Sequence, residues 1–254
     1  MARDYRTEFA DEFLKLDLRF NGVKRYVEQV AIGTIRSLIV NGHPGIGKTH
    51  SVKKYLETCA KGNYLVIQGR ITLMSLYAAL YAYRSSGKVL VLDDVDSIFS
   101  DIQGLNILKA AMDTTDTRKI YWASTTGKLN TMGLPDNFIF NGGVILISNI
   151  GFGGGSSRLV THLTALKDRS FCVPVADSGD DSLFKQICYM VLERNLMTDL
   201  HVDPDNQMML LDYIDRNKDN LNTVSLRTVV KLVDIFNIDP QNWEVMANQG
   251  LLKA

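Results

Sequence analysis

The segment Gly42–Thr49, GHPGIGKT, constrains the fold of this chain more than any other stretch of its sequence. It follows a short apolar run that ends in glycine, SLIVNG, and it precedes the helix-forming sequence THSVKKYLETCA. The segment fits the pattern G-x-x-x-x-G-K-[ST], whose glycines let successive backbone amides face phosphate groups. A chance match is expected in roughly one sequence in a hundred of this length. A strand, this loop and a helix in succession therefore predict a nucleotide site rather than an ordinary glycine turn.

Each part of this segment has an expected role at such a site. Lys48 is expected to reach the β and γ phosphates, and Thr49 is expected to hold a magnesium ion. The helix that begins here would add its N-terminal amides and its dipole. The residues that we expect to contact the bound nucleotide are His43, Pro44, Gly45, Ile46, Gly47, Lys48, Thr49 and His50.

A second run, VLVLDD, places two carboxylates at the end of another apolar strand. Open α/β sheets bind ligands at the carboxyl ends of their strands. Asp93 is expected to hold magnesium through water, and Asp94 is expected to polarise the attacking water. Alone, the run would indicate a strand and an acidic turn. Paired with the glycine loop, it predicts the hydrolytic half of one site; Asp96, close by, is interpreted as structural or solvated.

The order of elements predicts an α/β fold. Apolar strands alternate with helical patterns up to the strand FCVPV, which is typical of a parallel sheet covered on both faces. Residues 11–32 are expected to be helical or partly irregular, and KIYWAS and FIFNG could pair as a hairpin. From Asp181 onward the pattern is helical throughout. We expect a three-layer αβα core over residues 1–178 and a small all-helical lid domain over residues 179–254.

Composition limits the class of protein but does not identify a binding partner. Hydrophobic residues make up 46% of the chain and 28 basic residues balance 28 acidic ones, so the total charge does not argue for nucleic acid and does not exclude it. The three cysteines lack C-x-x-C spacing, which favours reduced thiols over a zinc site. We find no apolar run of membrane-spanning length and no signal peptide, so we expect a cytoplasmic protein without a membrane partner.

The chain resembles the AAA+ family of ring-forming ATPases over most of its length. GHPGIGKT resembles the Walker A motif and VLVLDD the Walker B motif. The family more often has Asp-Glu in the second motif, although Asp-Asp also occurs in bacterial replication initiators. VILISN resembles the strand that ends in the sensor 1 residue, which would make Asn149 the side chain that orients water against the γ phosphate.

The resemblance also implies two arginine roles. ALKDRS resembles the helix end that carries the arginine finger in clamp-loader-like members, which nominates Arg169, with Arg158 as its rival. SLRTVVKL resembles the sensor 2 helix, which nominates Arg227 for contact with the γ phosphate. A surface arginine at a helix end and a solvated arginine on an amphipathic helix are the structural alternatives for Arg169 and Arg227.

Two further regions match the family more loosely. RFNGVKRYVEQVAIG resembles the region that surrounds adenine, with Val23 and Tyr26 as its candidates. The segment 120–142 lies where helicase-like members carry a channel hairpin, which would bring Lys128 to a phosphate backbone. A β extension packed on the sheet edge explains that segment equally well. No aromatic-hydrophobic-glycine loop follows the second strand, which argues against a threading unfoldase.

Three hypotheses about function follow. The first is an ATP- and Mg²⁺-dependent AAA+ ATPase in DNA metabolism, such as a helicase, helicase loader or clamp-loader-like factor, similar to small ATPases of phages and mobile elements. It would assemble into a ring or open oligomer, so that a lone subunit hydrolyses ATP poorly. The second is a nucleotide-switched protein that assembles or remodels a protein partner. The third is a P-loop kinase of a small metabolite, in which Asn149 and Arg169 would have no role.

Overall fold

The computed structural model describes residues 3–95, 98, 101–122, 128–149, 157–175 and 180–253. The chain divides into two compact units. The sheet unit comprises Phe20–Gly42 and Lys48–Val175, and the helical unit comprises Met1–Arg19, His43–Gly47 and Ala176–Ala254. The domain boundary expected between residues 178 and 179 stays a prediction.

Five parallel strands form the main sheet of the sheet unit. In the order β2-β3-β6-β1-β7 they are Tyr64–Gln68, Val89–Asp93, Gly143–Ser148, Ser37–Asn41 and Phe171–Pro174. The three central strands are almost entirely buried. Their sequences are continuous runs of valine, leucine and isoleucine, because a strand covered on both faces has no side that favours polar residues.

Helices precede or connect the strands of the sheet unit. They are the C-terminal part of α2 (Ala10–Ala31), then α3 (Lys48–Cys59), α4 (Leu73–Ala82), α5 (Ile102–Ala111), α6 (Lys128–Thr131) and α7 (Ser157–Asp168). The region that the sequence left open between helix and irregular structure is one helix of 22 residues. The side chains of Thr72 and Asp101 accept hydrogen bonds from the first-turn amides of α4 and α5, as N-cap residues do.

A small second sheet accounts for the two β-rich pieces that precede β6. β4 (Lys119–Tyr121) and β5 (Asn137–Ile139) pair antiparallel, with Ile120 opposite Phe138. The pairing predicted from the sequence is therefore confirmed. Residues 123–127, between the two strands, lie outside the described part of the chain.

The helical unit joins the two ends of the chain. It contains α1 (Tyr5–Glu8), the start of α2, α8 (Asp180–Leu192), α9 (Leu196–Asp199), α10 (Pro204–Asn217), α11 (Leu226–Ile238) and α12 (Trp243–Leu251). The expected α/β class, with a parallel sheet and a helical C-terminal region, is confirmed. Among the described residues, no helix has the length and apolar character that crossing a membrane requires.

Candidate nucleotide site

Three neighbouring strands end at one edge of the main sheet, and each delivers a polar group there. Asp93 ends β3, Asn149 follows β6, and Gly42 follows β1. β6 lies between the other two strands and pairs in parallel with both, so all three carboxyl ends meet at this edge. This is where the sequence predicted a ligand.

Lys48 is the buried cation at this edge. It is the first residue of α3, and only 5% of its surface is exposed. Its Nζ donates to the carbonyl oxygen of Gly42 at 2.9 Å and to Oδ1 of Asn149 at 2.7 Å. An ammonium group forms strong, charge-assisted hydrogen bonds, which suits it to bind an anion such as a phosphate.

Thr49 and Asp93 form a hydroxyl-carboxylate pair beside that lysine. Thr49 Oγ1 lies 3.0 and 2.9 Å from the two carboxylate oxygens of Asp93, to which it donates. Asp93 is 3% exposed. A hydroxyl and a carboxylate supply hard oxygen atoms, which Mg²⁺ prefers, and Mg²⁺ usually needs few protein ligands beside substrate phosphates and water. These two residues therefore fit a magnesium ion of the kind expected.

Asp94 and Asn149 complete the polar edge. Asn149 Nδ2 donates to Asp94 Oδ1 at 2.7 Å, while its Oδ1 accepts from Lys48. An ionised carboxylate can only accept hydrogen bonds and an ammonium can only donate them. These partners therefore fix the orientation of the amide, with its nitrogen facing Asp94 and its oxygen facing Lys48. The Asp94 backbone is left-handed, with φ of 50°, a conformation that Asp and Asn tolerate better than other residues with a side chain.

One side chain at this edge was missed by the sequence analysis. Gln68 Nε2 donates to Asp93 Oδ2 at 2.6 Å. Gln68 ends β2 and lies directly opposite Asp93 in the register of β2 and β3. The sequence contains a pattern that could have identified Gln68, because Gln68 is the polar residue that ends an apolar strand, as Asp93 is.

The glycine loop, His43–Gly47, is shaped by contacts within the helical unit. Gly45 and Gly47 have φ of 75° and 92°, which favours glycine. A Cβ on Gly45 would lie 2.8 Å from Cβ of Ser225, and one on Gly47 would lie 2.9 Å from Cδ1 of Leu226. These two glycines are therefore required both for backbone conformation and for space.

Arg227 lies next to that contact. The Leu226 amide donates to the Gly45 carbonyl oxygen at 2.8 Å, so the first turn of α11 touches the glycine loop within the helical unit. The Arg227 side chain is exposed. α8 also contacts the loop, because the buried Gln186 donates from Nε2 to the Ile46 carbonyl oxygen at 2.9 Å.

Arg169 lies at the other edge of the main sheet. Its carbonyl oxygen accepts from Oγ of Ser37, the first residue of β1, and Arg169 lies two residues before the start of β7. Its Nη1 donates to the Ala165 carbonyl oxygen at 2.8 Å, and its buried Nε has no hydrogen-bond partner among the described residues. Since β1 has five residues, the two edges are roughly 15 Å apart. The side chain of the rival, Arg158, lies outside the described residues.

The other predicted residues are placed as follows. Val23 is buried in the sheet unit, and the Tyr26 ring packs on the ring of Phe171 in β7, with 5.2 Å between centroids. The side chains of His43 and His50 are exposed. Asp96 and the Lys128 side chain lie outside the described residues.

Comparison with known proteins gives one relative and a set of similar folds. The chain is 31% identical over 252 residues, 97% of its length, to an uncharacterized 36.7 kDa protein in the nrdC-mobD intergenic region of Enterobacteria phage T4, and it covers 77% of that protein. No protein-family model matches the chain. Among solved structures, domain III of the Thermotoga maritima replication initiation protein DnaA superposes with a TM-score of 0.50, covering 93% of both chains at 13% identity. At that identity the likeness shows a common fold.

Proposed function

We propose that this chain, which belongs to the same family as the phage T4 protein and has the AAA+ P-loop fold, binds ATP with Mg²⁺ and hydrolyses it. The observation that carries the proposal is the set of contacts at the carboxyl edge of the sheet. Lys48, Asn149 and Asp94 form one continuous hydrogen-bonded chain, and the Thr49–Asp93 pair lies beside it. This brings a cation, two carboxylates and two neutral polar groups to the strand ends where ligands bind.

Each side chain has a distinct task in the proposed reaction. Lys48 moves its ammonium from Asn149 to the β and γ phosphates, which offer it a stronger, charged acceptor. Thr49 and Asp93 would hold magnesium, which would neutralise phosphate charge. Asp94 accepts a hydrogen bond from the attacking water, and Asn149 orients that water through the amide that now contacts Asp94. His43–Gly47 remain the predicted phosphate-facing residues, and Arg227 the predicted γ-phosphate ligand.

We propose that hydrolysis requires a neighbouring subunit. Arg169 belongs to the edge of the sheet opposite Lys48 and Asp93, so it is poorly placed to serve the site of its own chain. In a head-to-tail ring or open oligomer, one subunit can offer such an edge to the site of the next. An arginine supplied in trans stabilises charge on the transferring phosphoryl group and increases the rate by about 10³–10⁵.

We propose DNA metabolism as the setting. The support is the fold shared with a domain of a replication initiation protein and the membership of a phage protein family. The paired strands β4 and β5, just before β6, would supply the channel hairpin, with Lys128 as a phosphate contact. The second candidate, a nucleotide-switched protein that remodels a protein partner, is favoured by the balance of 28 basic and 28 acidic residues.

Nucleotide binding and turnover by matched lysine variants test the proposal. Lys48→Ala should weaken ATP binding by about 10- to 100-fold, as expected for a lost hydrogen bond to a charged group. Lys61→Ala removes an exposed lysine of the same unit and should leave the affinity unchanged. Equal affinity of wild type and Lys48→Ala would contradict the proposal. Stimulation of turnover by single-stranded DNA favours the DNA role, and stimulation by a protein partner alone favours the second candidate.

A further inference from the structure

Gln68 is bound to the proposed magnesium ligand by the shortest hydrogen bond described at this edge of the sheet. Its Nε2 lies 2.6 Å from Oδ2 of Asp93, and its main chain is paired side by side with Asp93 across β2 and β3. Thr49 approaches the same carboxylate from α3, at 2.9 Å from Oδ2. Two donors from separate elements therefore converge on one carboxylate oxygen.

Chemistry fixes the orientation of the glutamine amide. An ionised aspartate can only accept hydrogen bonds, so the nitrogen of the amide must face it and the amide oxygen must point away. The bond is charge-assisted, which makes it stronger than one between neutral groups. Together with the Thr49 hydroxyl, it restricts rotation of a carboxylate that is otherwise buried, with 3% of Asp93 exposed.

We propose that Gln68 is a positioning residue for magnesium: it holds the Asp93 carboxylate in the orientation in which that carboxylate receives the metal. The proposal rests on the proposed function, since it concerns the same site. Groups that hydrogen-bond to metal-binding carboxylates typically affect metal affinity by about 10- to 100-fold. Gln68 is exposed overall, so water can partly replace its amide, and the lower end of that range is expected.

The test separates metal binding from nucleotide binding. For wild type and Gln68→Leu, binding of a fluorescent ADP analogue is measured along a Mg²⁺ titration that ends in excess Mg²⁺. The Kd is also measured in the presence of a chelator. Gln68→Leu should raise the Mg²⁺ concentration at half-saturation about 10-fold. Its Kd in chelator should stay within about 2-fold of wild type, because the contacts of the glycine loop and Lys48 with phosphate are unchanged. At saturating Mg²⁺, Gln68→Leu should hydrolyse ATP with most of the wild-type kcat.

Two further variants control for changes in structure. Gln68→Met keeps the length of the side chain without its donor and should behave as Gln68→Leu does. Gln103→Leu makes the same replacement at an exposed glutamine of the sheet unit and should titrate with Mg²⁺ as wild type does.

The outcomes distinguish this inference from the proposed function. A Mg²⁺ titration of Gln68→Leu that coincides with wild type overturns the positioning role alone. An equal loss of affinity with and without Mg²⁺ also overturns it, because that loss indicates a general structural effect. If the wild type binds the nucleotide without any response to Mg²⁺, or does not bind it at all, both proposals fail.

Discussion

At the scale of single residues, Asp94 combines chemistry with an uncommon backbone. Its φ of 50° lies in the left-handed region, which costs most side chains about 1–2 kcal/mol and costs Asp and Asn less. The neighbouring strand of the sheet, β6, stabilises this conformation, because the Asp94 amide donates to the Ile147 carbonyl oxygen at 3.1 Å. The conformation gives a physical reason for aspartate at a position where the AAA+ family more often has glutamate.

We predict that Asp94→Glu impairs the protein although it keeps the carboxylate. The longer side chain displaces the carboxylate from Asn149, and the left-handed backbone should reduce the free energy of unfolding by about 1 kcal/mol. Asp94→Asn tolerates the backbone and should keep ATP affinity while kcat falls by about 10²–10⁴. Calorimetry and steady-state kinetics measure both effects. Turnover by Asp94→Glu at or above the wild-type rate would show that the backbone does not select the residue.

Among the elements, the first helix packs into the helical unit through a buried tyrosine. The Tyr5 ring packs edge-on against the ring of Phe184 in α8, with 5.6 Å between centroids, and its hydroxyl donates to Asp212 of α10 at 2.8 Å. Tyr5 is 1% exposed although it is the fifth residue of the chain. The N-terminal segment is therefore an integral part of the helical unit.

We predict that Tyr5→Ala destabilises the helical unit by about 3–5 kcal/mol, as expected for an aromatic side chain removed from a core. Tyr5→Phe should cost less, about 1.5–3 kcal/mol, the value of a hydrogen bond to a charged group. Tyr121→Ala is the control, because Tyr121 is 60% exposed.

The buried Cys188 of α8 can report this loss of stability. Burial raises the pKa of its thiol well above the usual value, which keeps it protonated and unreactive near pH 8. In a Cys59→Ser, Cys172→Ser background, Tyr5→Ala should accelerate labelling of Cys188 by a thiol reagent, and Tyr121→Ala should not. Equal labelling rates in the two variants would contradict the anchoring role of Tyr5.

At the scale of the whole molecule, the position of Arg169 decides whether the subunit is self-sufficient. The arginine belongs to the amino edge of the sheet and the candidate nucleotide site to the carboxyl edge. If the proposed trans role is correct, turnover per subunit should rise with protein concentration as subunits associate.

Mixing two inactive variants tests that role. Arg169→Ala lacks the arginine but keeps Asp94, while Asp94→Asn lacks the carboxylate but keeps Arg169. In a randomly mixed head-to-tail oligomer at equal amounts, about a quarter of the interfaces combine both intact residues, so about a quarter of wild-type turnover should return. Activity of Arg169→Ala alone at the wild-type rate and independent of concentration would exclude a shared site. Arg158→Ala, mixed with Asp94→Asn in the same way, tests the rival arginine.

Local sequence patterns predicted the fold class correctly and nominated the candidate site residues. A buried parallel strand is an unbroken apolar run, so Asp93 was predicted as the carboxylate that ends one such run. The glycine loop was predicted from its motif spacing, and Asn149 from the resemblance to the AAA+ family. The pairing of β4 with β5 followed from composition and turn residues in the same way.

Which of these groups touch depends on contacts between distant parts of the chain. The bond from Gln68 to Asp93 depends on strand order and register, and the bond from Lys48 to Asn149 joins residues 101 positions apart. The position of Arg169 at the far edge and the packing of Tyr5 on α8 and α10 likewise depend on how distant segments meet. Periodicity records which face of an element is buried, but it carries no information about the partner that buries it.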